Sequence, residues 1–180
     1  MNDRQTFEPA STATSYLQAA GAAMVLQITN VVASGIWLNQ GGWMFNYKWW
    51  QADGGVRVRD YLAHVPRNNT LIIELAAERG LTVDTLPTKN YWGHTWVWSL
   101  LHNYGQRPGM YGNLWEIVVK PAQALLAPNS TCTGFGISPE GIEQNPVVYE
   151  LMFELVWRNP TQLASGDFNL TNWLQLYVCF

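Results

Sequence analysis

The strongest constraint in this sequence is a unit that recurs along it: a short apolar run, a polar or glycine-rich end, then residues at helical spacing. Gly35-Ile36-Trp37-Leu38-Asn39-Gln40 is the first such run and stops at Gly41-Gly42-Trp43. Thr70-Leu-Ile-Ile-Glu-Leu75 is the second, ending in Ala76-Ala77-Glu78-Arg79-Gly80. Thr95-Trp-Val-Trp-Ser-Leu-Leu101 is the third, followed by His102-Asn103-Tyr104-Gly105. Cys132-Thr-Gly-Phe-Gly-Ile137 is the fourth, followed by Ser138-Pro139-Glu140-Gly141. Helical stretches are expected over residues 14–33, at the end of 47–64 (Val58, Tyr61, Leu62, Val65, closed by Pro66), and over 110–126 and 145–158. The last opens with Pro146 in its first turn and carries Val148, Leu151, Met152 and Leu155 on one face.

Alternating strands and helices predict a parallel sheet joined by right-handed crossovers, with every strand's carboxyl end on one rim. That rim would carry Gln40, Trp43, Glu74, Glu78, His102, Asn103 and Glu140. Polar and aromatic residues gathered there suit the active site of a (β/α)₈ barrel. An open doubly wound sheet binds ligands on the same rim, so the pattern leaves both architectures open. Four strands are half a barrel, which runs to about 250 residues. The expectation is an incomplete domain whose two open edges leave the isolated chain poorly stable.

Charge and motifs narrow the function classes. The formal net charge is −3 with ten Lys and Arg, so no basic stripe exists to neutralise a phosphate backbone, and no nucleic acid is expected. There is no GxGxxG after a strand, no Walker A loop and no Cys/His metal spacing, so neither cofactor nor metal is expected. Residues 19–38 are apolar but broken by Gln27, Thr29 and Asn30, which predicts a buried helix running into a strand and no membrane span. Ten Trp in 180 residues make a sugar-stacking surface worth testing, although each alone reads as core. Trp49 and Trp50 read as packing, and Trp96 and Trp98 share one strand face by alternation. Cys132 and Cys179 either pair or stay free. Sequons at Asn68, Asn129 and Asn169 point toward the secretory pathway, while the first residues carry no signal peptide. Oligomeric state is not legible.

Several segments resemble the α-N-acetylglucosaminidases of glycoside hydrolase family 89. They are Ile36-Trp-Leu-Asn-Gln-Gly-Gly-Trp43-Met-Phe45, Leu71-Ile-Ile-Glu-Leu-Ala-Ala-Glu78, Trp98-Ser-Leu-Leu-His-Asn-Tyr-Gly105 and Pro128-Asn-Ser-Thr131. The most specific is Gly136-Ile-Ser-Pro-Glu-Gly-Ile-Glu-Gln-Asn-Pro-Val-Val-Tyr149. The resemblance implies an α/β fold, the C-terminal half of a (β/α)₈ TIM barrel, incomplete. It implies a partial barrel over residues 16–158, a divergent or truncated tail over 1–15, and the start of a helical region over 159–180.

By the same resemblance the activity is that of a retaining exo-glycosidase, lysosomal or secreted. Its partner is a glycan ending in non-reducing α-linked N-acetylglucosamine, heparan sulfate in animals. Glu140 maps to the family's nucleophile. Glu8, in Thr6-Phe7-Glu8-Pro9, is the candidate general acid, although the family's Phe-Asn-Glu here lacks its Asn. Trp43, Leu75, Leu101 and Tyr104 map to the pocket wall, with Gln-Gly-Gly-Trp standing where the family has Gln-Gly-Trp. Read without the family, Glu140 is a helix N-terminal residue favoured by the macrodipole. Glu74 and Glu78 are further rim carboxylates, and His102 is either an acid/base or a satisfied, half-buried histidine. The alternative function is a non-catalytic carbohydrate-binding module or an inactive truncated barrel fragment.

Overall fold

A computed structural model describes residues 10–39, 41–79, 90–103, 113–142 and 144–178. The four apolar runs become β1 (Trp37–Asn39), β2 (Thr70–Glu74), β3 (Trp96–Leu100) and β4 (Cys132–Ile137). They form one sheet in the order β1-β2-β3-β4, every neighbouring pair parallel. Spatial order follows chain order without reversal, so the described strands contain no topological switch point of the doubly wound kind. The register pairs Trp37 with Thr70, Ile72 with Trp96, and Trp96 with Cys132. An irregularity between Trp96 and Trp98 then sets Trp98 against Phe135.

Helices α1 (Ala10–Val31), α2 (Gly41–Met44) and α3 (Lys48–Leu62) lie before β2, and α4 (Leu114–Leu126) connects β3 to β4. After β4 come α5 (Pro146–Leu155), α6 (Pro160–Ser165) and α7 (Leu170–Val178). Asparagine caps set the starts of α4, α5 and α6 among others. Asn113 accepts the Glu116 N–H, Asn145 the Val147 N–H, and Asn159 the Thr161 N–H, the last two with proline in the first turn.

The structure departs from the expected alternation in one place. Between β2 and β3 the described residues form only single 3₁₀ turns, Ala77–Arg79 and Tyr91–Gly93. The stretch expected to be helical at its end, 47–64, is helical there up to Leu62, and ahead of that end Asp53, Gly54 and Gly55 adopt φ of 54°, 68° and 77°. Glycine enters the left-handed region without steric cost and Asp tolerates it, so Asp-Gly-Gly favours a break over a continuous helix.

A further correction concerns α1, which is not a buried helix. Its seam against α3 is Ala13, Leu17 and Gly21, while Tyr16, Met24, Leu26, Val31 and Val32 are exposed. Apolar residues run right round α1, and only one stripe of them finds a partner. Gly21 sits where a Cβ would fall 2.1 Å from the Tyr61 carbonyl oxygen, which lets the two helices meet backbone to backbone. No helix among the described residues is long and apolar enough to cross a membrane.

The sheet's two faces differ. Thr70, Ile72 and Glu74 of β2 and Trp96, Trp98 and Leu100 of β3 are buried on the helix-covered face, so the two Trp share a face as alternation predicts. Around them Phe45, Trp50, Tyr61, Tyr91 and Trp96 meet mostly edge to face, with centroids 5.4 Å apart for Phe45–Trp50 and 6.0 Å for Tyr91–Trp96. On the other face Leu71, Ile73 and Val97 are only half covered and Leu38 is 57% exposed.

Candidate active site at the strand ends

The β3–β4 ladder runs one residue past the end of β4, because the Ser138 N–H donates to the Leu100 carbonyl at 2.8 Å. The Ser138 and Ser99 hydroxyls also meet at 2.7 Å. Glu140 follows, half-buried, and its carboxylate makes no hydrogen bond with any described residue. Gly141, at φ 72°, turns the chain there. The Gln144 side-chain amide donates back to the Glu140 carbonyl at 3.0 Å and to the Gly141 carbonyl at 3.1 Å. Since α5 starts only at Pro146 under the Asn145 cap, Glu140 lies outside the first turn in which a macrodipole acts, and the helix-terminus reading loses its support.

Leu75 and Leu101 are buried together with Ala76 in a small cluster of their own, just beyond the ends of β2 and β3. Glu78 ties those same ends. Its carboxylate accepts the Leu101 N–H at 3.2 Å and the His102 N–H at 3.0 Å. His102 is buried rather than half-buried, its backbone is held at φ 69°, and its Nδ1 has no partner among the described residues. Burial lowers its pKa, and the neighbouring Glu78 charge opposes that shift. The His102 ring stands edge-on to Tyr149, with centroids 5.6 Å apart. Burial, and then Glu78, raise the Tyr149 phenol.

Not every candidate gathers at this rim. Glu74 is fully buried in the aromatic layer, where it accepts the Tyr91 hydroxyl, so it faces the helices. Trp43 belongs to α2, but its side chain lies outside the described part of the structure. Glu8, Tyr104 and Cys179 lie outside the described residues altogether. A cleft of about 340 Å³ opens between the β2 and β3 ends and the start of α4, lined in part by Glu78, His102, Asn113 and Glu116; Glu140 is not among its walls. Sequence reasoning passed over Gln144, Tyr149 and the Ser99–Ser138 pair. A glutamine four residues after Glu140 was the one available signal.

A sequence model of the alpha-N-acetylglucosaminidase tim-barrel domain matches residues 2–159. The human alpha-N-acetylglucosaminidase is 40% identical over 153 residues, which is 84% of this chain. The chain belongs to the alpha-N-acetylglucosaminidase family. It spans 20% of that human relative's length. A family 89 glycoside hydrolase from Clostridium perfringens, solved with PUGNAc, superposes with a TM-score of 0.67 at 21% identity, over 90% of this chain and 16% of that one. A variant from the same organism, with two glutamate-to-glutamine changes and its substrate GlcNAc-alpha-1,4-galactose bound, gives a TM-score of 0.68 at 20% identity with the same coverage. At such identities the likeness speaks for the fold. The structural likeness agrees with the parallel α/β sheet described above, and the sequence matches place the chain in the TIM-barrel domain of a glycosidase family.

Proposed function

We propose that this chain supplies the nucleophile-bearing half of a retaining α-N-acetylglucosaminidase barrel, with Glu140 as the nucleophile. The observation that carries the reading is the Glu140 loop: a half-buried carboxylate beyond a parallel strand end, with Ser138 bonded to β3 upstream and the Gln144 amide closing on it downstream. In a retaining reaction one carboxylate oxygen bonds to the anomeric carbon as the glycosidic bond breaks, and a second carboxyl about 5–5.5 Å away protonates the leaving oxygen. Water then displaces the sugar, with the second carboxyl now acting as base. Glu8 is the proposed acid. Leu75 and Leu101, which are buried together, are proposed as one stretch of pocket wall, with Trp43 and Tyr104 adding its aromatic part. The substrate is a glycan ending in non-reducing α-linked N-acetylglucosamine, of heparan sulfate type in animals, met in a lysosomal or secreted setting.

The half-barrel reading is part of the same proposal. Four parallel strands in sequential order are what half of a (β/α)₈ barrel contributes, and Leu38, Leu71, Ile73 and Val97 would line its interior once further strands close it. That half-covered face also favours the second reading, a sugar-binding or inactive fragment. Incubation of the chain with a chromogenic α-N-acetylglucosaminide separates them. Turnover that Glu140→Gln abolishes supports the enzyme. N-acetylglucosamine binding without turnover supports the module, and turnover that survives Glu140→Gln removes Glu140 from its role.

A further inference from the structure

The Glu140 loop needs something to hold it, because strand pairing ends at Ser138 and regular helix resumes only at Pro146. Between them the carbonyls of Glu140 and Gly141 are both taken by one side chain, the amide of Gln144. That amide is itself oriented. The Tyr149 hydroxyl donates to Gln144 Oε1, so the amide nitrogen has to face the two carbonyls. Tyr149 belongs to α5, and neighbouring positions Val148, Leu151, Met152 and Leu155 lock that helix into the core. Its ring stands against His102, whose N–H is held by Glu78. A continuous set of contacts therefore runs from the β2 and β3 ends through Tyr149 and Gln144 to the main chain of Glu140.

We infer that Gln144 and Tyr149 are positioning residues for Glu140, Gln144 by clamping its carbonyl and Tyr149 by fixing the orientation of the Gln144 amide. The inference rests on the proposed glycosidase reading for its catalytic consequence, and on hydrogen bonding alone for its structural one. Neither side chain is assigned contact with the reacting atoms. Misplacing a reacting group by about 1 Å is enough to cost on the order of 100-fold in rate, so a loosened loop acts on kcat while leaving sugar binding in place. Tyr149→Phe keeps the ring on His102 and removes only the hydroxyl. Gln144→Ala removes the clamp. Because both act through one contact, their effects should not add.

The test uses the full chain and two independent readouts. With a chromogenic α-N-acetylglucosaminide, Tyr149→Phe is expected to lower kcat about 3–10-fold and Gln144→Ala about 10–100-fold, each with KM within about 2-fold of the parent. The double variant should match Gln144→Ala alone. Amide hydrogen exchange provides the second readout: peptides covering residues 138–144 should exchange faster in both variants, while those covering β3 and α5 stay unchanged. Unchanged kcat in both variants, or strictly additive losses in the double variant, overturns the inference, as does exchange that rises throughout the chain. If the parent shows no turnover, the glycosidase reading fails for this chain and exchange alone decides the clamp: a rise confined to 138–144 upholds it, and no rise overturns it.

Discussion

Replacing Gly21 by alanine tests how the α1–α3 seam is built, because two effects of known size oppose each other there. In a helix interior alanine is better than glycine by about 1 kcal/mol, so propensity alone predicts a stabilised variant. The seam predicts the reverse. The added Cβ would stand 2.1 Å from the Tyr61 carbonyl oxygen, 3.2 Å from its carbon and 3.3 Å from Val65 Cγ2. Carbon and carbonyl oxygen sit comfortably at roughly 3.3–3.6 Å, so the helices would have to part by about 1 Å. The obstacle is backbone, which has no rotamer to move to. Parting the helices would also uncover Ala13 and Leu17 and stretch the 2.7 Å hydrogen bond from Thr14 to Asp60. Overpacking of this kind costs about 1–3 kcal/mol, and a backbone clash belongs at the upper end. After the propensity gain is subtracted, Gly21→Ala should be destabilised by about 1–2 kcal/mol. Urea unfolding followed by Trp fluorescence would read this as a midpoint lower by about 0.5–1 M, for a slope near 2 kcal/mol per molar. Ala22→Gly, on the exposed neighbour, gives the propensity scale alone at about 1 kcal/mol. A Gly21→Ala midpoint at or above the parent's would refute the close seam.

Three further outcomes follow from the buried polar groups. Tyr91→Phe withdraws a donor from the buried Glu74 carboxylate and should cost about 1–3 kcal/mol in the same titration. Ser99→Ala and Ser138→Ala should each cost about 0.5–1.5 kcal/mol, with a double variant less destabilised than the sum, since they share one hydrogen bond. Burial, with the Arg67 charge behind it, lowers the His94 pKa, and burial also lowers that of His102. Both therefore bind protons more weakly folded than unfolded; their stability is whole above the unfolded value of 6.5 and drains as pH falls through the window beneath it. Urea midpoints measured from about pH 7.5 down to about pH 5 should fall, and less steeply in His94→Gln; a flat profile in the parent would remove this account.

The strands were legible because their signal is local. Residues 70–74, 96–100 and 132–137 are short apolar runs bounded by polar or glycine ends, and each became a strand within a residue of where the sequence placed it. Parallel order was legible as well, since helices at 48–62 and 114–126 supply crossovers. Burial of α1 was not, because its apolar residues say that it can be covered without saying by what. The helical end of 47–64 was legible from its apolar spacing, and the left-handed turn ahead of it falls on Asp53-Gly54-Gly55. Glu140 was singled out through a motif, whereas Gln144 and Tyr149 are drawn in only through their hydrogen-bond partners. A glutamine's worth depends on which carbonyls lie within 3.1 Å, and spacing does not state that.

The asymmetry of the sheet connects these points. Nearly all the core lies on the helix side, where Trp96, Tyr91, Ile72 and Leu100 are essentially sealed from solvent. The opposite face is half covered, and the Glu140 loop is held chiefly by hydrogen bonds from Ser138 and Gln144. Apolar burial is worth about 25 cal/mol per Å² and is insensitive to direction, whereas a hydrogen bond yields only about 1 kcal/mol net but fixes a geometry. The helix side is therefore suited to supplying stability and the rim to supplying placement. Substitutions at Gly21 and Tyr91 should move unfolding midpoints, while those at Gln144 and Tyr149 should move local exchange and kcat with smaller effects on the midpoint. If Tyr149→Phe proved as destabilising as Tyr91→Phe, that division of labour would be wrong, and the loop would have to be counted as part of the core.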